Sequence, residues 1–380
     1  MPATLSPSPI AVPESVLEDL RERLSRTRWP DRETVDDWSQ GVPLDYARGL
    51  AAYWQDGYDW RRAERVLNAL QPHVARLHGV DIHYLHARSP HAGARPLIIT
   101  HGWPGSVLEF EHIMGPLVDP PAHGGDETDA FHVVCPSLPG FGFSGKPRAP
   151  GWGVERTATV WDALMRTLGY TRYFAQGGDW GALVTSVIGA QNRGACAAIH
   201  VNMPVVQPDP ATMDALQPEE EDAMAAFRAY QAYDSGYSKQ QSTRPQTLGY
   251  ALADSPVGQL AWVVEKFQSW TDCGGHPENA ISRDALLDTV MVYWLNNAGA
   301  SSARLYWESF ERPNLDPVDI PAGVSIFPKE IMRPSRRWVA RRYRNLVHYN
   351  RLAHGGHFAA LEQPAAFVHE LRKCFRACRL

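Results

Sequence analysis

Short apolar runs alternate with helix-like segments through most of this chain, and that alternation restricts its folds more than any other feature. Pro96-Leu-Ile-Ile-Thr, Phe131-His-Val-Val-Cys, Arg172-Tyr-Phe-Ala-Gln and Ala197-Ala-Ile-His-Val are too short for buried helices. They read as strands covered on both faces. Helical spacing follows the third run over Ala182–Gln191. Two later runs, Gly323-Val-Ser-Ile-Phe and Asn345-Leu-Val-His-Tyr, precede a closing helix over about 364–375. Strands that alternate with helices predict an α/β fold with a mainly parallel central sheet flanked by helices.

Two blocks depart from that rhythm. Residues 1–90 carry an amphipathic helix (Val16, Leu17, Leu20, Leu24), an irregular segment with Trp and Pro, and a second helix over Arg61–Leu70. A half-buried strand follows, with Val80-Asp-Ile-His-Tyr-Leu-His alternating apolar and polar residues. Residues 205–312 are helical and rich in aromatics, at Met224–Tyr233, Leu260–Trp270 and Ala285–Asn296. A helical block between strands of a parallel sheet reads as a lid. The expected organisation is an N-terminal extension over 1–90 packed on core and lid, core segments at 91–204 and 313–380, and a lid at 205–312.

Bulk properties exclude some classes of function. A formal net charge of −5 with no basic run gives no footprint for nucleic acid. The five cysteines form no CxxC pair, so reduced thiols are expected rather than a zinc site or a disulfide framework. No apolar run is long enough for a leader or a membrane anchor, so a soluble, cytoplasmic protein is expected. A homodimer is the base-rate expectation for its assembly.

The chemistry concentrates in four motifs. Gly177-Gly-Asp179-Trp-Gly181 lies between a strand and a helix and has the form of a nucleophile elbow, with Asp in the reactive position. His101-Gly-Trp103-Pro-Gly-Ser follows another buried strand. The backbone N–H groups of Trp103 and Trp180 are the expected oxyanion hole. His357, in His354-Gly-Gly-His-Phe, is the expected base, chosen over His354 because it follows the double glycine. Glu330, in Ile326-Phe-Pro-Lys-Glu, ends a strand and is the expected partner of His357; Asp316 and Asp319 precede that strand. The order Asp179, Glu330, His357 is the nucleophile–acid–base order of an α/β-hydrolase fold.

With these motifs in hand, the sequence resembles the microsomal-type epoxide hydrolases over essentially its whole length. Matching segments are His101-Gly-Trp-Pro, Pro139-Gly-Phe-Gly-Phe-Ser, Gly-Gly-Asp179-Trp-Gly, Phe327-Pro-Lys-Glu330 and Gly355-Gly-His357-Phe-Ala-Ala. Tyr53-Trp, Asp59-Trp-Arg and Leu67-Asn are similar to that family's N-terminal meander. The resemblance places Tyr237 and Tyr306 as the two lid tyrosines that grip an epoxide oxygen. It implies attack by Asp179, hydrolysis of the resulting ester by water that His357 activates, and a vicinal diol as product. The partners are then a small lipophilic epoxide and water, with no metal and no cofactor.

Phe141 and Trp294 are expected in the pocket wall with Trp103 and Trp180. Trp270 and Trp307 are further wall candidates, and for these two, as for Trp294, core packing is the commoner role. Three other readings remain at this point: a haloalkane dehalogenase with the same Asp nucleophile, an esterase (which Asp at position 179 disfavours), and a catalytically silent binding protein of the same fold. Retention of Asp179, Glu330 and His357 argues against the last.

Overall fold

The computed structural model describes residues 5–378. Nine strands form a single sheet among these residues: β1 (Leu5–Pro7), β2 (Pro72–Leu77), β3 (Val80–Ala87), β4 (Arg95–Thr100), β5 (Phe131–Pro136), β6 (Tyr173–Gly177), β7 (Cys196–Val201), β8 (Ala322–Ile326) and β9 (Leu346–Arg351). Their order is β1-β2-β3-β5-β4-β6-β7-β8-β9. The pairs from β1 to β5 along that order are antiparallel, and every later pair is parallel. This is the α/β-hydrolase arrangement.

The parallel strands β4 to β8 are almost wholly buried, which is why they read as continuous apolar runs, whereas the edge strand β9 buries only His348. Helices Val154–Thr167 and Trp180–Gln191 pack together against the sheet, and Glu111–Val118 packs with Pro364–Arg376 as a second group. β4 lies between β5 and β6, so successive connections leave it in opposite directions. The loops after β4 and β6 therefore diverge at a switch point, where open parallel sheets form their binding crevice.

The N-terminal segment is more regular than its sequence suggested. The stretch expected to be irregular contains the helix Leu44–Asp56, which buries Ala47, Leu50, Ala51 and Trp54 on one face. β1 and β2 extend the sheet beyond the expected strand β3. The same segment grips the helical insert between β7 and β8. Tyr53 donates a hydrogen bond to Asp284 (2.7 Å), and Tyr58 (2.6 Å) and Arg62 (2.5 Å) both donate to the buried carboxylate of Asp288. Both acceptors belong to helix Arg283–Leu295 of the insert.

Several insert helices run beyond or between the expected ones, including Gly236–Thr243 and Gly299–Ser309. The helix expected over Met224–Tyr233 is α-helical only to Ala229, and a π-helical turn, Tyr230–Asp234, follows it. All five cysteines are buried and free. No described helix is long and apolar enough to cross a membrane.

Candidate active site

The turn after β6 places Asp179 in a backbone conformation that few L-residues adopt, with φ 51° and ψ −127°. Tight packing accounts for the flanking glycines. A Cβ at Gly177 would stand 2.0 Å from the carbonyl oxygen of Gly181, and one at Gly181 would stand 1.9 Å from that of Thr100 on β4. The strained turn is thus wedged against the neighbouring strand, and it lifts the carboxylate above the sheet.

Asp179 Oδ1 accepts a hydrogen bond from the Trp103 N–H at 2.7 Å, and the Trp180 N–H is also directed at this carboxylate. Its other oxygen, Oδ2, lies 3.5 Å from His357 Nε2. That separation exceeds an ordinary hydrogen bond. The opposite ring nitrogen, Nδ1, is 2.7 Å from Glu330 Oε1, which also accepts the Ile331 N–H at 2.7 Å. Both His357 and Glu330 are buried, whereas His354, on the same loop, is exposed. Asp316 and Asp319 are exposed and pair with Asn314 and Arg344.

Burial raises the Asp179 carboxyl above its ordinary value, against the pull of His357 and the two N–H groups. Burial alone would lower His357. The adjacent Glu330 and Asp179 charges outweigh it and push the imidazole up to about 9. At neutral pH the resting site is therefore an imidazolium held between two carboxylates.

His101 fastens the loop that carries Trp103. The Leu138 N–H donates to its Nε2 (3.1 Å), so Nδ1 bears the proton and donates to the Gly102 carbonyl (2.9 Å). Burial lowers this imidazole to about 4 and keeps it neutral. Tyr293 adds a hydrogen bond to the Gly105 carbonyl at 2.9 Å.

Above Asp179 lies an aromatic cluster. Tyr237 stacks on Trp103, with ring centroids 5.0 Å apart, and Tyr306 meets Trp180 edge-on at 4.7 Å. The two phenol rings are 5.8 Å apart. Burial pushes both phenols well above their ordinary value, and the Asp179 charge pushes in the same direction. They stay protonated donors throughout the neutral range. The buried Tyr306 hydroxyl has no hydrogen-bond partner, which is uncommon for a buried polar group. Asp179, Tyr237 and Tyr306 line one cavity of about 270 Å³, whose other walls include Leu183, Met203, Val205, Phe310, Ile331 and Met332.

Not every expected wall residue reaches this cavity. Trp180 lines it. Phe141 instead points into the core, against His101 (5.7 Å) and Tyr293 (6.3 Å). Trp294, at the end of its helix, turns toward Arg23 of the N-terminal helix Glu14–Ser25. Trp307 is half exposed on the surface, and Trp270 is buried 4.9 Å from the His357 ring.

Residues 5–110 match the family model described as epoxide hydrolase N terminus, and residues 95–249 match that for the alpha/beta hydrolase fold. A Stigmatella aurantiaca protein with a provisional epoxide hydrolase name is 53% identical over 99% of this chain and 86% of its own length. The chain belongs to the epoxide hydrolase family. Epoxide hydrolase 1 of Sus scrofa is 31% identical over 97% of this chain and 88% of that protein. Among solved structures, Aspergillus niger epoxide hydrolase superposes with a TM-score of 0.89 at 31% identity, covering 98% of this chain and 96% of that one. Juvenile hormone epoxide hydrolase of Bombyx mori gives 0.90 at 28% identity over 98% and 94%.

Two features of this epoxide hydrolase site lay outside the sequence reading. Glu109 borders a second cavity, of about 20 Å³, together with Asp179, His357, Gly102 and Trp103. Burial pushes its carboxyl up to about 8, with His357 pulling the other way. Its position in Ser106-Val-Leu-Glu-Phe, three residues beyond a helix-capping Ser, is that of a capping residue and carries nothing more specific. The second feature is Lys266, a buried ammonium paired with Asp234 at 2.7 Å and lying 4.6 Å from the Tyr237 ring centroid. The Trp270 indole donates to the other oxygen of Asp234 at 2.6 Å.

Proposed function

We infer that this chain opens a compact lipophilic epoxide through a covalent ester on Asp179 and hydrolyses that ester to a vicinal diol. The observation that carries the reading is the single apolar cavity shared by a desolvated carboxylate and two buried phenols, one of them unpartnered. A strained ether needs a nucleophile on carbon and a proton donor on oxygen. Carboxylate and phenol are well matched to those tasks at neutral pH.

In the first half-reaction, Asp179 Oδ2 attacks a ring carbon and that carbon's bond to the epoxide oxygen breaks. Tyr237 and Tyr306 hydrogen-bond the departing oxygen, and one of them gives it a proton. Oδ1, which already receives the Trp103 N–H, becomes the carbonyl oxygen of the ester. Losing the charge on Asp179 removes one of the influences that hold His357 protonated. The imidazole then releases its proton to solvent and becomes a base.

In the second half-reaction, neutral His357, oriented by Glu330, takes a proton from water, and the hydroxide attacks the ester carbonyl carbon. The N–H groups of Trp103 and Trp180 stabilise the oxyanion. The small cavity beside Glu109 has room for one water, since about 10–15 Å³ suffices on this measure. Collapse of the tetrahedral intermediate restores Asp179 and releases the diol, whose new hydroxyl keeps the second proton of the water; the proton taken by His357 passes to the tyrosine, and the imidazole regains its resting proton from solvent. We read residues 205–312 as the lid that carries the phenols, and residues 1–90 as its brace.

The substrate pocket falls just below the usual size range of drug-sized sites, about 300–1,000 Å³. That favours epoxides of modest size. His357→Gln should block the second half-reaction and spare the first. Incubated with a panel of epoxides and haloalkanes and weighed intact, this variant should gain the full mass of an epoxide, and Asp179→Ala should gain nothing. A mass gain from haloalkanes alone, equal to the haloalkane less HX, would install a dehalogenase instead.

A further inference from the structure

Tyr230 stands behind the two phenols, and nothing in the mechanism above uses it. Its hydroxyl is 3.1 Å from that of Tyr237 and 3.3 Å from Ser238 Oγ, and its ring lines the substrate cavity. The two tyrosines are seven residues apart. In an uninterrupted α-helix that spacing amounts to about 10.5 Å along the axis. Here a π-helical turn begins at Tyr230 and a new helix begins at Gly236, and the rings approach to 6.5 Å. Such turns are frequent at functional sites.

Proton counting limits what this cluster can do. Ser238 gives its own proton to the Ser235 carbonyl at 2.8 Å, so toward Tyr230 it can only accept. Tyr230 has one proton and two acceptors within reach, Ser238 and Tyr237. While Tyr237 donates to Tyr230, the Tyr230 proton must go to Ser238. Once Tyr237 turns its proton to a substrate oxygen, the Tyr230 proton is free to rotate onto Tyr237.

We propose that Tyr230 is a positioning residue for ring opening, a hydroxyl rotor that switches from Ser238 to Tyr237 when Tyr237 engages the epoxide. It deepens the ring-opening reading above and rests on it. In the resting site the rotor keeps the Tyr237 hydroxyl satisfied. In the loaded site it donates to Tyr237 and makes that phenol a stronger acid. As the carbon–oxygen bond breaks and the Asp179 ester forms, the Tyr237 proton passes to the leaving oxygen. The phenolate left behind is held by the Tyr230 hydrogen bond until ester hydrolysis returns a proton. No proton is gained or lost over the cycle. Burial holds Tyr230 above its ordinary value, so it stays protonated and able to donate.

The test is a double-mutant cycle on the full chain with Tyr230→Phe, Tyr237→Phe and the pair. Alkylation and hydrolysis are timed separately by single-turnover tryptophan fluorescence. The probe is the fastest-reacting member of a panel of styrene oxide, 1,2-epoxyhexane and cyclohexene oxide. Loss of one hydrogen bond predicts that Tyr230→Phe slows alkylation about ten-fold. Hydrolysis should be unchanged. With Phe already at position 237, the second substitution should change alkylation less than about two-fold, because no phenol is left to assist.

Unchanged alkylation in Tyr230→Phe overturns the proposal. Equal slowing in both backgrounds also overturns it, since the residue would then be shaping the pocket. If Tyr237→Phe leaves alkylation untouched, or no probe alkylates the wild type, the ring-opening reading itself fails. Melting curves of the three variants, expected to superimpose on wild type, separate these results from misfolding.

Discussion

Esterification of Asp179 should convert His357 from an acid to a base, and Asp179→Asn isolates that effect. Asn keeps the shape of the side chain and removes the charge, as the ester does. The imidazole Nε2 lies 3.5 Å from Asp179 Oδ2, and with both carboxylates charged the ring is held up at about 9. A unit charge about 4 Å away contributes about 4 kcal/mol at an effective dielectric near 20. At 1.36 kcal/mol per pH unit this is worth about three units. His357 in Asp179→Asn should therefore titrate about three pH units lower than in the wild type. Histidine-labelled NMR reads this directly, with His357→Gln used to assign the signal. In the wild type, the pH midpoint of single-turnover ester hydrolysis should fall by a similar amount below the resting value. A His357 that still titrates above pH 8 in Asp179→Asn would refute the charge-switch argument. The raised resting value also has a consequence for stability. Its contribution is complete below pH 6.5, the ordinary value, and is lost as pH rises through about 9.

Two further substitutions probe the surroundings of the site. Glu109→Gln should stabilise the fold, because burial holds the Glu109 carboxyl at about 8 and ionising it works against folding. The gain in melting temperature should be negligible near pH 4, grow as pH rises from 4.5 to 8, and then level off; a gain independent of pH contradicts the assignment. Arg62→Met leaves the buried Asp288 carboxylate with Tyr58 as its remaining donor. Unpairing a buried charge costs about 3–5 kcal/mol, and Arg62, about one-third exposed, should fall at the low end. Urea denaturation measures it, and a loss below about 1 kcal/mol would mean that the N-terminal segment does not anchor the insert through this pair.

The inner parallel strands were legible because full burial leaves uninterrupted apolar runs, as in β4 and β6. The motif residues were legible because each follows the end of a strand: Trp103 after β4, Asp179 after β6, Glu330 after β8 and His357 after β9. Helix Leu44–Asp56 was missed although Ala47, Leu50, Ala51 and Trp54 have helical spacing, because neighbouring prolines and tryptophans masked the period. Side-chain direction within a turn leaves no periodic trace, so Phe141 was expected in the pocket and is found packed against His101. Lys266 reads as a solvated helix position, since nothing in its own segment reveals that Asp234 waits 32 residues earlier. Tyr230 reads as one aromatic among many, because a π-helical turn has no sequence signature comparable to a capping box.

These unread residues share a location, and it bears on how the site is assembled. The groups that follow the sheet strands, Asp179, Glu330 and His357, sit on a framework fixed by strand register. The phenols sit on helices that contribute no strand to the sheet. Their positions depend on a π-helical turn, on the Asp234–Lys266–Trp270 cluster beneath Tyr237, and on the Tyr53, Tyr58 and Arg62 contacts that tie the insert to the N-terminal segment. The placement of Asp179 and His357 is encoded locally, in motifs a few residues long. The placement of the two phenols is encoded by contacts between distant segments, so on the proposed mechanism changes in insert packing should move ring opening before they move ester hydrolysis.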